Sequence, residues 1–162
     1  HDHAIRAMDF SGTVVWDPSD ASKYNIDITV PVSSLEVDPG NIREKAGHDG
    51  ETSEKDKGKI KDNLESKGQL NSSNHPNITF KATKCDGTSG WVNVTGTMSM
   101  AGASQTVTAR MNVSADGSSF SAKGTFDTSH TAFGFKPFSA ALGAVKNDDK
   151  LGFHLDFKGS AK

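Results

Sequence analysis

The chain has 162 residues, enough for one domain over 1–162 around a single core, and 18 Lys and Arg against 20 Asp and Glu leave a net charge of −2. That balance supplies no basic field of the kind that nucleic-acid binding needs, and no apolar run is long enough to span a bilayer. The single cysteine, Cys85, rules out an internal disulfide and reads as a small apolar residue at a strand end.

The opening HDHAIRAMDF lacks the Lys/Arg-flanked apolar stretch of a signal peptide, which a mature exported chain has also lost. A first, irregular strand is expected from Ile5 to Trp16, ended by the turn at Asp17-Pro18. NIDITVPV then alternates Ile26, Ile28, Val30 and Val32 with polar residues, which predicts a strand over 25–33 with one buried face. A long connection from Leu35 to His75 follows. Within it, Ser53 stands as an N-cap with Asp56 three residues on, and Ile60 and Leu64 share a helical face, predicting one main helix near 54–66. The mixed charges of Glu51 to Lys67 make the outer face of that helix a solvated one.

Period-two alternation returns in NITFKATK, WVNVTGTMSM, TVTARMNV, FSAKGTF and LGFHLDF, predicting strands over 78–85, 90–100, 104–115, 118–128 and 150–158. Asp86-Gly87, Ala101-Gly102 and Asp116-Gly117 supply tight turns between them, so these strands form an antiparallel meander. The apolar face of such a sheet must be covered, and one short helix is too little cover. A sheet curled on itself buries that face, so the expected fold is all-β, an antiparallel up-and-down, lipocalin-like barrel of about 7–8 strands.

No G-x-S-x-G elbow, H-E-x-x-H, Walker loop or C-x-x-C is present, and no enzyme activity or cofactor is implied. His1 and His3 project from one face of a strand and could meet one divalent ion, but two ligands do not make a closed site, and an exposed terminal turn accounts for the pair without a metal. The apolar inventory is more telling, with 9 Phe against 2 Trp and 1 Tyr. Inward positions mix bulky residues with small ones. Phe80, Met98, Met100, Met111, Phe126 and Phe153 stand with Ala109 and Gly124, and FGFKPFSAALGAV adds Phe133, Phe135, Phe138 and Leu142. These twelve residues are the candidate lining of an apolar pocket; the competing account is that they fill the core. Small residues such as Ala109 and Gly124 are expected to make the space, so a Phe at either should lower lipid binding while the barrel still folds. Arg6, His130 and Lys136 are the candidates for meeting a polar head group at a barrel mouth.

RAMDFSGTVVWDP, VPVSSLEVD, HPNITFKATK, VTGTMSMAGASQTVT and FGFKPFSAALGAVKNDDKLGFHLDF, taken in order, resemble the YceI-like family, small exported bacterial proteins often called polyisoprenoid-binding. The resemblance covers nearly the whole chain. It implies an extended lipocalin-like barrel around a long apolar ligand, a helix in the long connection, and a periplasmic location. It also implies a further opening strand before the segment that starts at His1. Its absence leaves the strands at 5–16 and 151–157 as two edges. Such edges are seldom left bare. One of three closures is expected: direct pairing of the two, a strand supplied by a partner in a homodimer or larger assembly, or an additional N-terminal segment.

Overall fold

The computed structural model describes residues 2–116, 118–140, 142 and 144–160. Its frame is the meander: β5 (Asn77–Cys85), β6 (Gly90–Met100), β7 (Ala103–Ala115), β8 (Ser119–Ser129) and, after a long excursion, β11 (Lys150–Ser160). The alternation works as the sequence demands. In β7, Val107, Ala109, Met111 and Val113 are buried, while Thr106, Thr108, Arg110 and Asn112 between them are exposed. Ala101 and Gly102 both adopt positive φ, 54° and 84°, the conformation a two-residue hairpin needs to follow strand twist, and Met100 pairs with Ala103 across it. A bulge between Ala82 and Lys84 resets the parity of β5 and turns Cys85 into the core.

On the other side of β5 lie β3 (Tyr24–Pro31) and β2 (Ser11–Trp16), giving the order β11-β8-β7-β6-β5-β3-β2. The strand expected over 5–16 is split. β1 (Ile5–Ala7) leaves the sheet to pair with β4 (Leu35–Val37), Met8 N donates to Ser34 O, and only Ser11–Trp16 joins β3. Every neighbouring pair is antiparallel, so the two edge strands of this seven-stranded sheet run in the same direction. Direct pairing between them would require a parallel ladder with a different hydrogen-bond pattern. Among the described residues they do not pair, and the curled sheet is a half-barrel.

The connection between β4 and β5 holds two helices. α2 (Glu54–Glu65) begins where the sequence indicated, with Ser53 Oγ accepting from Asp56 N at 3.2 Å. α1 (Gly40–Lys45) was not expected, being one and a half turns long and preceded by Pro39 rather than a capping side chain. Lys61 anchors α2 by donating from Nζ to the carbonyls of Val32, Ser33 and Leu35. At the far end, the short turn Thr131–Phe133 drives Phe133, 1% exposed, into the cluster of Val32, Leu35, Leu70, Met98, Met100 and Val107, stoppering that end of the half-barrel.

One buried charge organises the N-terminal side. Asp38, 1% exposed, accepts from Ala4 N (2.8 Å) and Arg43 Nη1 (3.1 Å) on Oδ1, and from His3 Nδ1 (2.8 Å) and Thr52 Oγ1 (2.7 Å) on Oδ2. Burial alone would raise its pKa; the bonds from Thr52, His3 and Ala4, with the charge of His3, outweigh burial and hold the carboxyl at about 2. Four segments therefore meet on one carboxylate: the N-terminal residues before β1, the end of β4, α1 and the loop before α2.

Two expectations follow. Because Asp38 has a depressed folded pKa, its stabilisation is complete above the ordinary carboxylate range and is lost as pH falls toward about 2. Asp38→Asn should cost about 3 kcal/mol near neutral pH by leaving donors unpaired, and chemical denaturation of both proteins should show that gap shrinking between pH 4 and pH 2. A gap that stays constant would contradict the assignment. In amide exchange, β6 and β7 should be the slowest strands, and the outward-pointing amides of β2 and β11 the fastest in the sheet.

Candidate ligand-binding site

The centre of the half-barrel is filled by side chains. A Cβ on Gly96 would lie 2.5 Å from Phe80 Cζ and 2.5 Å from Lys81 O, so the Phe80 ring already covers that glycine. At Gly124 it would lie 2.1 Å from Arg110 O and 2.5 Å from Met111 Sδ. Gly124 thus permits a close approach of β7 to β8 and leaves no room for a ligand. This corrects the expectation that Phe at this position is tolerated by the fold, because backbone atoms cannot yield as a flexible side chain can. Ala109 and Met111 pack with Val92, Val94, Val113 and Ala122 in a buried cluster, and Met98 and Met100 belong to the stoppered end. Phe126 and Phe153, opposite each other on β8 and β11, stack at 4.5 Å with 5° between their planes.

Open apolar space lies at the gap between the two edge strands. A cavity of about 330 Å³ runs there, walled by Phe10, Val14 and Trp16 on one side and Phe120 and Phe157 on the other. Its size falls at the lower end of the range for small-molecule sites. Phe10 and Phe157 bridge the gap edge-to-face at 5.7 Å, and Trp16 leans on Phe120 at 6.0 Å. Trp16 Nε1 donates to Thr88 O at 2.9 Å, which satisfies the indole's one polar group. Phe10 is 53% and Val14 41% exposed, so the slot opens to solvent. Inward from it, Trp16, Phe120, Phe126, Leu155 and Phe157 are half-buried and pack on the same cluster as Ala109 and Met111.

A second cavity, about 560 Å³, lies beneath α1 and is lined by Asp38, Arg43, His48, Glu51 and Lys57 among others. It is larger, but its charged walls suit an alkyl chain poorly.

The remaining sequence candidates sit elsewhere. Phe133 is in the stopper, and Phe135 is half-buried, edge-on to His130 at 5.3 Å. Phe138 is half-buried beside the short ribbon of β9 (Ser139–Ala140) and β10 (Val145–Lys146). Leu142, expected inward, is fully exposed, its left-handed backbone (φ +55°) departing from the extended alternation that would point it inward. The expected head-group residues do not border the slot. Arg6 pairs with Glu36 across the β1–β4 ribbon, His130 is buried with Nδ1 2.9 Å from Asp149 O, and Lys136 is exposed where Gln69 Nε2 reaches its carbonyl. His1 lies outside the described residues, and His3 is engaged by Asp38. Among the described residues no three His, Cys, Asp or Glu side chains are grouped to hold a metal. Burial, with the charge of Asp86, pushes the Cys85 thiol up to about 11, far from the range of a reactive thiolate.

The slot residues Phe10, Trp16 and Phe120 were missed because a slot between two edges belongs to the curvature of the sheet. Phe120 and Phe157 did occupy inward positions in their alternations, which was the available signal.

A family model described as YceI-like domain matches residues 3–157. In solved structures, the fold is similar to a Campylobacter jejuni YCEI protein, with TM-score 0.72 and 14% identity over 98% of this chain and 85% of that one. It is also similar to Burkholderia cenocepacia BcnA, with TM-score 0.70 and 20% identity over 96% of this chain and 86% of that one. Comparison with curated protein sequences gives no match. A half-barrel of antiparallel strands, a helical connection over one side and a family match across nearly the whole chain lead to one conclusion: this chain belongs to the YceI-like domain family.

Proposed function

We propose that this protein is a non-catalytic carrier that holds a long-chain amphiphile, isoprenoid or fatty-acid-like, in the apolar slot and on the half-buried inner face beside it. The rings around the slot carry this reading: Phe10, 53% exposed, and the half-buried Trp16, Phe120 and Phe157 border an apolar concavity of about 330 Å³ that opens to solvent. Leaving such surface bare costs about 25 cal/mol per Å², and each methylene buried there returns about 0.8 kcal/mol. Affinity therefore grows with chain length until the slot is full. Phe133 fills one end of the half-barrel, which places the bound chain away from that end. Function in the periplasm after export accords with the family resemblance.

A second reading has its own observation. The Phe80 ring over Gly96 and the Met111 thioether over Gly124 occupy inner-face space, as they would in an accessory subunit that binds no small ligand.

Two measurements separate the readings. Native mass spectrometry of protein purified under mild conditions should show a co-purifying lipid, and the stripped protein should bind an apolar fluorescent probe with 1:1 stoichiometry. Phe157→Ser should weaken probe binding at least tenfold, while Met98→Leu, in the stoppered end, leaves it unchanged. Absence of both lipid and probe binding would overturn the carrier reading in favour of the accessory subunit.

A further inference from the structure

We infer that residues 40–52 form a flap that opens as one body over the charged cavity beneath α1, with the Asp38 carboxylate as its latch. This inference concerns the polar side of the molecule and rests on neither reading of the slot. None of residues 40–52 is buried, and α1 makes no broad contact with any strand or with α2. The backbone donors of α1 bond within the segment or to the Pro39 carbonyl, which accepts from Ile42 N and Arg43 N. Apolar packing therefore does little to hold the segment down.

Arg43 divides the polar bonds into two sets. Nε donates to Gly50 O and Nη2 to Asp49 O, both at 3.0 Å, which closes α1 and the loop after it on themselves. Nη1 crosses to the rest of the chain, to Asp38 Oδ1 at 3.1 Å and Asp2 O at 3.0 Å. Thr52 adds a crossing bond, from Oγ1 to Asp38 Oδ2 at 2.7 Å. Lifting the segment breaks these few bonds, most of them on one carboxylate, and leaves the internal closure whole. Asp38 is not left bare, since Ala4 N and His3 Nδ1 still donate to it.

The cavity of about 560 Å³ gives the motion a consequence. Asp38 and Lys57 line it from the fixed side, and Arg43, His48 and Thr52 from the flap. Closed, the flap is one wall of that space. Open, it widens the mouth to a polar solute, which a lining of mixed charge suits better than an alkyl chain.

Spin labels on cysteines introduced at Lys45, exposed on α1, and Thr97, exposed on β6, report the distance of the flap from the sheet. Cys85 stays unlabelled, being buried with its thiol pushed up to about 11. The parent should give one narrow distance. Thr52→Val, which keeps the shape of the side chain and removes the latch hydroxyl, should raise a second, displaced and equally narrow population about tenfold. Thr52→Ser should restore the parent distribution. Arg43→Lys, with no fork to reach both loop carbonyls, should instead give a broad distribution, the mark of a loop that has come apart. Amide exchange in β6 and β7 should be the same in Thr52→Val as in the parent. An unchanged distance in Thr52→Val would show that Asp38 is no latch. A new population as broad as that of Arg43→Lys would make the segment a fraying loop, and faster exchange in β6 and β7 would make the opening global. Each of these three results overturns the inference.

Discussion

In an antiparallel meander each strand reverses the direction of the one before, so an odd number of strands leaves two edges pointing the same way. Here β2 and β11 are those edges. Joining them directly would introduce a parallel ladder into a sheet whose other ladders are antiparallel. The chain meets this constraint with side chains: Phe10 from one edge and Phe157 from the other come together edge-to-face, and a narrow apolar slot remains between the strands. The candidate ligand site lies between those two edges.

The other features keep this opening lateral. Phe133 closes the end near Met98 and Met100, and Lys61 and Asp38 fasten the helical connection to the β1–β4 ribbon on the outside. Within the sheet, the Phe80 ring lies over Gly96 and the Met111 thioether over Gly124.

The strongly alternating strands were legible in the sequence because one face of the central sheet is fully buried and the other is wet. From Val92 to Met100 every second side chain is in the core, and nothing interrupts the period. Legibility faded where the signal depends on distant partners. Ile5 to Trp16 read as one strand, yet residues 5–7 pair with β4 and residues 11–16 with β3, a split that only the long connection determines. α1 escaped because six residues behind a proline carry no cap signature. For the site, period-two alternation pointed to an apolar inner face but not to where open space lies along it. Period two says which face a Phe occupies, but not whether a neighbour's ring fills the space in front of it. Gly124 and Ala109 read as room and are close packing; Arg6 read as a head-group contact and stands opposite Glu36.

The central claim is that an alkyl chain lies in the slot between the edge strands. A doxyl-labelled fatty acid bound to isotope-labelled protein tests it most directly, since paramagnetic broadening reports which side chains surround the label. The account predicts loss of signal at Val14, Trp16, Phe120 and Phe157, with Met100 and Phe133 unaffected. Broadening centred on Met100 and Phe133, or spread evenly over the surface, would contradict it.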